Sequence, residues 1–242
     1  STIRAAIKRL VSSTNVIGHV QIKRRKGQHM ELQNKATALW SNFFNVKMVQ
    51  MRTFHMTWFA FFSCFFAWFG IAPLMSVVRD ELALTRDQIG WAIIGSVSMT
   101  IFARLFIGWL VDRIGPRKSY TWLLILGSLP VMGIGLAQSF ESFLLFRVLI
   151  GGIGASFVIT QYHTSVMFAP NVVGQANATS AGWGNLGGGV TQFVMPLLFS
   201  VMVIGFGFSE AIGWRLSMVV VGVIIFLIGI AYFFLTQDAP DG

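Results

Sequence analysis

Six apolar segments, near residues 54–78, 89–111, 119–138, 142–168, 177–205 and 216–236, govern what this chain can become. A hydrocarbon core ~30 Å thick takes roughly 20 helical residues to cross, and every segment is long enough. No water reaches that depth, so the backbone must satisfy its own donors and acceptors, as a helix does and an open strand does not. The expected fold is an all-α membrane protein of six transmembrane helices. Composition agrees: 55% of residues are hydrophobic and only 11% charged, a membrane protein's balance and not a soluble enzyme's. Cys64 is the only cysteine and lies in an apolar run, so neither a disulfide framework nor a Cys-based metal site can be built within the chain.

Loop charge sets the expected orientation, because Lys and Arg are retained on the cytoplasmic side. Ten of the 18 basic residues precede Thr53, and Arg113, Arg117 and Lys118 follow the second segment. The opposite side carries Arg79, Arg86 and Arg215, which makes thirteen against three. Both termini are therefore expected in the cytoplasm. Three regions result: a basic, partly disordered leader over 1–52, a six-helix unit over 53–236, and the start of a polar linker over 237–242. The leader is too long and polar for a cleavable signal, and its "KRRK" at 23–26 reads as a solvated stretch with some capacity to dock on anionic lipid. The net charge of +9 does not indicate nucleic acid, since no basic residues are interleaved with the aromatics.

Between the second and third segments stands "GWLVDRIGPRK", residues 108–118. Gly108 permits close helix approach, Asp112 can accept from the amides of a neighbouring helix start, and the arginines can form charge-assisted bonds with it. Gly108, Asp112, Arg113, Gly115 and Arg117 resemble the signature loop of the major facilitator superfamily, which latches one transporter half against the other. Arg104 lies eight residues earlier, about 12 Å along the axis, too deep for easy snorkelling. An arginine there costs at least ~2.5 kcal/mol on insertion scales and has to face a polar interior. The row Ser96, Thr100, Arg104, Gly108 reads as a cavity wall. No Asp or Glu lies at comparable depth, so the missing negative charge is read as a substrate. A guanidinium fork suits small planar oxyanions such as nitrate and nitrite.

The fourth segment adds Arg147, placed near the external end where it can snorkel, and Phe157 with Gln161 on one face as an aromatic plane and an amide donor for a flat anion. His163 reads first as a hydrogen-bonded structural residue and second as a proton relay. His19, His29 and His55 show no metal-ligand spacing. The fifth segment contains "AGWGNLGGGVTQ", with five glycines within residues 182–189. In lipid, an unsatisfied backbone costs more than glycine's poor propensity, so the stretch remains helical. Ser180, Gly184, Gly187 and Thr191 then form a small-residue packing groove, for which the fourth segment's glycines are the expected neighbour. Ala181, Asn185, Gly188 and Gln192 share the adjacent face, and packing alone does not explain their two amides.

No nucleophile and base pair, carboxylate dyad or metal cluster can be assembled from nine acidic residues that nearly all sit in loops, and no strand precedes the glycine clusters, which excludes nucleotide cradles. An enzyme is not expected, and no cofactor is implied. The glycine-rich stretch, with "FAWFGIAPLMSVVRDEL", "ARLFIGWLVDRIGPR", "ASFVITQYHTSVMF" and "FLTQDAPDG", resembles the nitrate/nitrite porter family of that superfamily over about residues 51–242. The resemblance implies that Arg104 binds substrate, Phe157 forms an aromatic wall and Asn185 lies near the site. It implies that Gly182, Gly184 and Gly187 to Gly189, on one signature helix with Gln192, let that helix slide. His163 and Ser76 stand where the family pattern leads one to expect a bulkier aromatic and a proline. The family has twelve spans, so the chain is expected to be the N-terminal half of a plasma (inner) membrane transporter moving nitrate or nitrite by alternating access. Its expected partners are the bilayer and either the missing C-terminal half or a second copy; the competing reading is a truncated, transport-inactive membrane module.

Overall fold

A computed structural model of the chain describes residues 34–242. The "KRRK" run, His19 and His29 lie outside the described residues. Six helical spans cross the bundle: the first Val49–Glu81, the second Arg86–Ile114, the third Pro116–Leu136, the fourth Phe140–Met167, the fifth Val173–Gly205 and the sixth Glu210–Leu235. All are long and apolar enough to cross a membrane. Each begins three to six residues, or in the fourth two, before its predicted segment, because a helix continues into the polar boundary where hydropathy no longer marks it, whereas the third, fourth and sixth end one or two residues short of theirs.

Sequence punctuation sets the ends. The second span opens on a capping box in which Thr85 Oγ1 accepts from the Gln88 amide at 3.2 Å and Gln88 Oε1 accepts from the Thr85 amide at 2.9 Å. The fourth opens on Ser139, whose hydroxyl accepts from the Ser142 amide. Between the second and third spans the chain turns at Gly115 with φ of 82°, followed by Pro116 at the first helical position. Four spans change helix type internally: the first at the Ala72–Leu74 turn, the third, which finishes in a 3-10 turn over Ile134–Leu136, the fourth at Gly152–Ala155, and the fifth, which finishes in a π-turn over Val201–Gly205.

Packing follows a repeated scheme. The first span packs chiefly on the fifth, the second on the fourth, and the third on the sixth. Half or more of the most apolar stretch is buried in the first and fourth spans, against 22% in the second and fifth. Burial thus repeats every three spans, from most to least to intermediate, giving two successive sets of three that pack across one another. Glycine sets the closest approaches. A Cβ on Gly187 would come within 2.0 Å of the Phe62 carbonyl oxygen, and one on Gly151 within 2.0 Å of the Ser96 carbonyl oxygen. The fifth span's groove of Ser180, Gly184, Gly187 and Thr191 is fully buried as its spacing predicts. Its neighbour is nevertheless the first span and not the fourth, whose glycines are taken up by the second.

A polar network ties the centre together. Tyr232 Oη lies 2.6 Å from His163 Nδ1 and 3.1 Å from Thr57 Oγ1, and Tyr120 Oη lies 2.9 Å from Thr160 Oγ1. At the end of the bundle away from Val49 and Leu235, Arg215 donates to the carbonyls of Gly135 and Ala137 at 2.6 Å and pairs with Glu81 at 2.5 Å, joining the first, third and sixth spans.

Candidate functional site

Arg104 is the nineteenth residue of a 29-residue helix, so it stands about 15 Å from the Ile114 end and inside a ~30 Å hydrocarbon thickness. Its side chain is exposed on the bundle surface. The ion pairs among the described residues are Arg79–Asp80 and Arg215–Glu81, and neither involves it. Its guanidinium carbon stands 5.6 Å from the ring centroid of Phe157 on the fourth span, within cation–π range. That ring lies 5.7 Å from Phe61 on the first span. Phe61 presses on the fifth span so closely that a Cβ on Gly184 would sit 1.8 Å from its Cδ1. Asn185, next to Gly184, is exposed. A continuous line therefore runs from the arginine through two phenyl rings to the signature helix, and four spans contribute to it.

The remaining signature residues divide by face. Gly182 and Gly189 have open space where a Cβ would point, and with Asn185 they form a bare strip of helix. Gly188 is partly covered, since an added Cβ would meet the Phe69 ring at 3.1 Å. Gln192 is exposed, and its amide reaches only the Gly188 carbonyl at 3.4 Å.

Several expected placements do not hold. Ser96 and Thr100 do not line a cavity: Ser96 Oγ accepts from Trp68 Nε1 of the first span at 2.8 Å and Thr100 Oγ1 donates to the Gly151 carbonyl of the fourth at 2.7 Å, so both are sealed against neighbouring spans. The row winds about the helix, and only Arg104 and Gly108 emerge from those contacts. Gln161 turns to the Asn177 carbonyl at 3.5 Å, not to the open face beside Phe157. Arg147 does not snorkel; it is 7% exposed and donates to the Trp68 carbonyl at 3.0 Å. His163 is fully buried between Tyr232 Oη and the Gln237 carbonyl, each 2.6 Å from a ring nitrogen. The carbonyl accepts only, so Nε2 carries a proton and both nitrogens are occupied.

The loop after the second span is also built differently from expectation. Gly108 faces open space, Asp112 and Arg113 are exposed, and Arg113 lies over Trp109 at 5.2 Å. The carboxylate that accepts from a helix-start amide is Asp238, at 2.9 Å from the Arg117 nitrogen, and not Asp112. A Cβ on Gly115 would come 2.5 Å from Asp238 Oδ1, so the loop glycine makes room for this acceptor. Arg117 meanwhile covers the Phe233 ring at 4.4 Å. Two participants escaped sequence reading. Asp238 falls in the polar linker over 237–242, within "FLTQDAPDG", where the sequence gives it no helix to cap. Phe61 carries no signal of its own among the phenylalanines of the first span.

The sequence model of the Major Facilitator Superfamily matches residues 57–242. High affinity nitrate transporter 2.5 of Arabidopsis thaliana is 39% identical over 219 residues, covering 90% of this chain and 43% of that protein. Nitrate/nitrite transporter NrtP of Nostoc punctiforme is 38% identical over 191 residues, covering 79% of this chain and 38% of that protein. The chain thus spans about two fifths of the length of the curated relatives it matches. Among solved structures, a bacterial homolog of the human lysosomal transporter Spinster, inward-facing and unoccupied, superposes with a TM-score of 0.64 at 20% identity, over 81% of this chain and 45% of that one. That likeness establishes the fold alone. With six membrane-spanning helices in two sets of three, and a family match extending from the first span to the last residue, the chain is an integral, multi-pass membrane protein that belongs to the major facilitator superfamily.

Proposed function

We propose that this chain supplies the N-terminal six-helix half of a transporter that moves nitrate or nitrite across the plasma (inner) membrane by alternating access, with both chain termini cytoplasmic. The observation that carries the reading is Arg104, a guanidinium at membrane depth, open to one face of the bundle and without a carboxylate partner among the described residues. The names of the relatives support the choice of anion. Two parallel N–H groups of the fork donate to two oxygens of a planar anion, and this bidentate contact offsets the cost of holding the cation in lipid. Phe157 holds the guanidinium plane from one side and excludes water. Asn185 offers an amide from the bare strip of the fifth span. The weakly buried faces of the second and fifth spans would meet a second six-helix half, either the remainder of a longer chain or another copy, and the anion would be released when the halves rock. Gly108, Asp112, Arg113, Gly115 and Arg117 would latch one access state, with Asp238 fixing the loop.

The test uses the chain joined to a complete second half in proteoliposomes. Arg104→Lys keeps the charge and loses the fork, so the apparent affinity for nitrate falls about 10- to 100-fold, as for a hydrogen bond to a charged group, while membrane insertion is unchanged. Unaltered uptake at low nitrate would remove Arg104 from the site.

A further inference from the structure

The stretch that leads into the first span is a built element that the transport reading does not use. Residues 34–48 fold back against the bundle. Ala36 donates to the Met167 carbonyl and accepts from the Ala169 amide, each at 3.0 Å, and Asn171 donates to the Thr37 carbonyl at 3.0 Å. His55 Nε2 donates to the Phe43 carbonyl at 2.6 Å, and its Nδ1 accepts from Trp58 Nε1 at 3.0 Å. On the inner side, Ala36, Leu39 and Phe43 are buried with Met51, Phe54 and Phe168, and Phe43 stands edge-on to Trp183 at 5.5 Å. The outer side sets three uncovered apolar side chains among polar ones: Trp40 is 55% exposed, Phe44 89% and Val46 55%, beside exposed Thr37, Ser41, Asn45 and Lys47.

The level of this segment identifies what covers it. The Phe43 carbonyl sits beside His55, six residues above Val49, or about 9 Å up the first span. That span has 33 residues, roughly 50 Å of helix against ~30 Å of hydrocarbon, which leaves about 10 Å at each end in the headgroup zone. Tryptophan and phenylalanine at that level are the side chains an interfacial anchor uses. Lys35 and Lys47 flank them, and no Asp or Glu occurs from Leu32 to Arg79.

We propose that residues 34–48 are an interfacial strap that inserts Trp40, Phe44 and Val46 at the headgroup boundary of the leaflet nearest the chain termini, with Lys35 and Lys47 on the phosphates of anionic lipid. The strap is fixed to the fourth-to-fifth span connection and to the base of the first span, so lipid bound there bears on the end of the signature helix.

The full chain carrying Phe44→Cys takes an environment-sensitive fluorophore at that position, because Cys64 is buried. It is reconstituted in phosphatidylcholine vesicles with and without phosphatidylglycerol. The expected result is blue-shifted emission, quenching by headgroup-proximal nitroxide lipid and protection from aqueous iodide, greatest with phosphatidylglycerol. Lys35→Glu combined with Lys47→Glu abolishes the gain from phosphatidylglycerol. As an independent readout, Trp40→Phe loses part of the tryptophan emission that brominated lipid quenches. Iodide access without lipid quenching, or brominated-lipid quenching unchanged in Trp40→Phe, overturns insertion and leaves the face to a protein partner. A phosphatidylglycerol gain that survives charge reversal overturns the role of the lysines.

Discussion

Arg104 and Arg147 both lie well within a span, and their surroundings separate what a membrane-embedded charge can do. Arg147 on the fourth span is 7% exposed and held by the Trp68 carbonyl, close to where the first helix breaks at Gly70. Arg104 on the second span is exposed, with only the Phe157 ring against it. The first has its partner in the same fold and serves as a tie between two spans. The second has no acceptor among the described residues, so its hydrogen-bonding capacity is available to something that comes and goes. A membrane-depth charge buried against a protein partner is a structural device; one left open on the bundle surface is a binding device.

The sharpest break in this comparison is stability against uptake. Arg147→Ala should cost about 2 to 4 kcal/mol, from the lost bond and the cavity left behind, and lower the thermal unfolding midpoint of the detergent-purified protein. Arg104→Ala should stay within ~0.5 kcal/mol, as for an exposed substitution, while uptake by the complete transporter is lost. Equal destabilisation by both would erase the distinction. Next in size is the line of rings that positions Phe157. Gly184→Ala forces Phe61 to move, an overpacking cost of about 1 to 3 kcal/mol, and should weaken nitrate affinity as well. Phe61→Leu in the same protein should recover most of both losses. Gly189→Ala, which enters open space, should change stability by less than ~1 kcal/mol and in the favourable direction, since it only improves helix propensity. An effect of similar, modest size and opposite sign is expected where Asp238 accepts from the Arg117 amide. Asp238→Ala should cost about 1 kcal/mol, the worth of a helix-start acceptor, measured in the same unfolding assay.

Much of this was legible beforehand, and the reasons differ by residue. Arg104 stood out because hydropathy gives its depth and a count of acidic residues shows that none can reach it. The buried groove of Ser180, Gly184, Gly187 and Thr191 followed from helical spacing alone. Arg147 misled for the opposite reason: its position near a span end suggested snorkelling, but its acceptor is a backbone carbonyl, and every residue has one. Ser96 and Thr100 were drawn into the cavity because a polar stripe looks the same whether it faces water or a neighbouring helix. Asp112 and Asp238 are both short carboxylates beside a helix end, and only the fold decides which one reaches the amide.

The sequence by itself determined the number of spans, their all-helical state and the family, because lipid forbids unsatisfied backbone and hydropathy therefore records the topology along the chain. Which helix meets which was decided only in three dimensions. A small-residue groove accepts any helix that can approach it, and the signature glycines receive the first span instead of the fourth because the fourth span's own glycines are filled by Ser96 and Thr100 of the second. The meeting of Arg104, Phe157, Phe61 and Gly184 is of the same kind, since residues far apart in the chain become neighbours through packing, for which local sequence carries no mark.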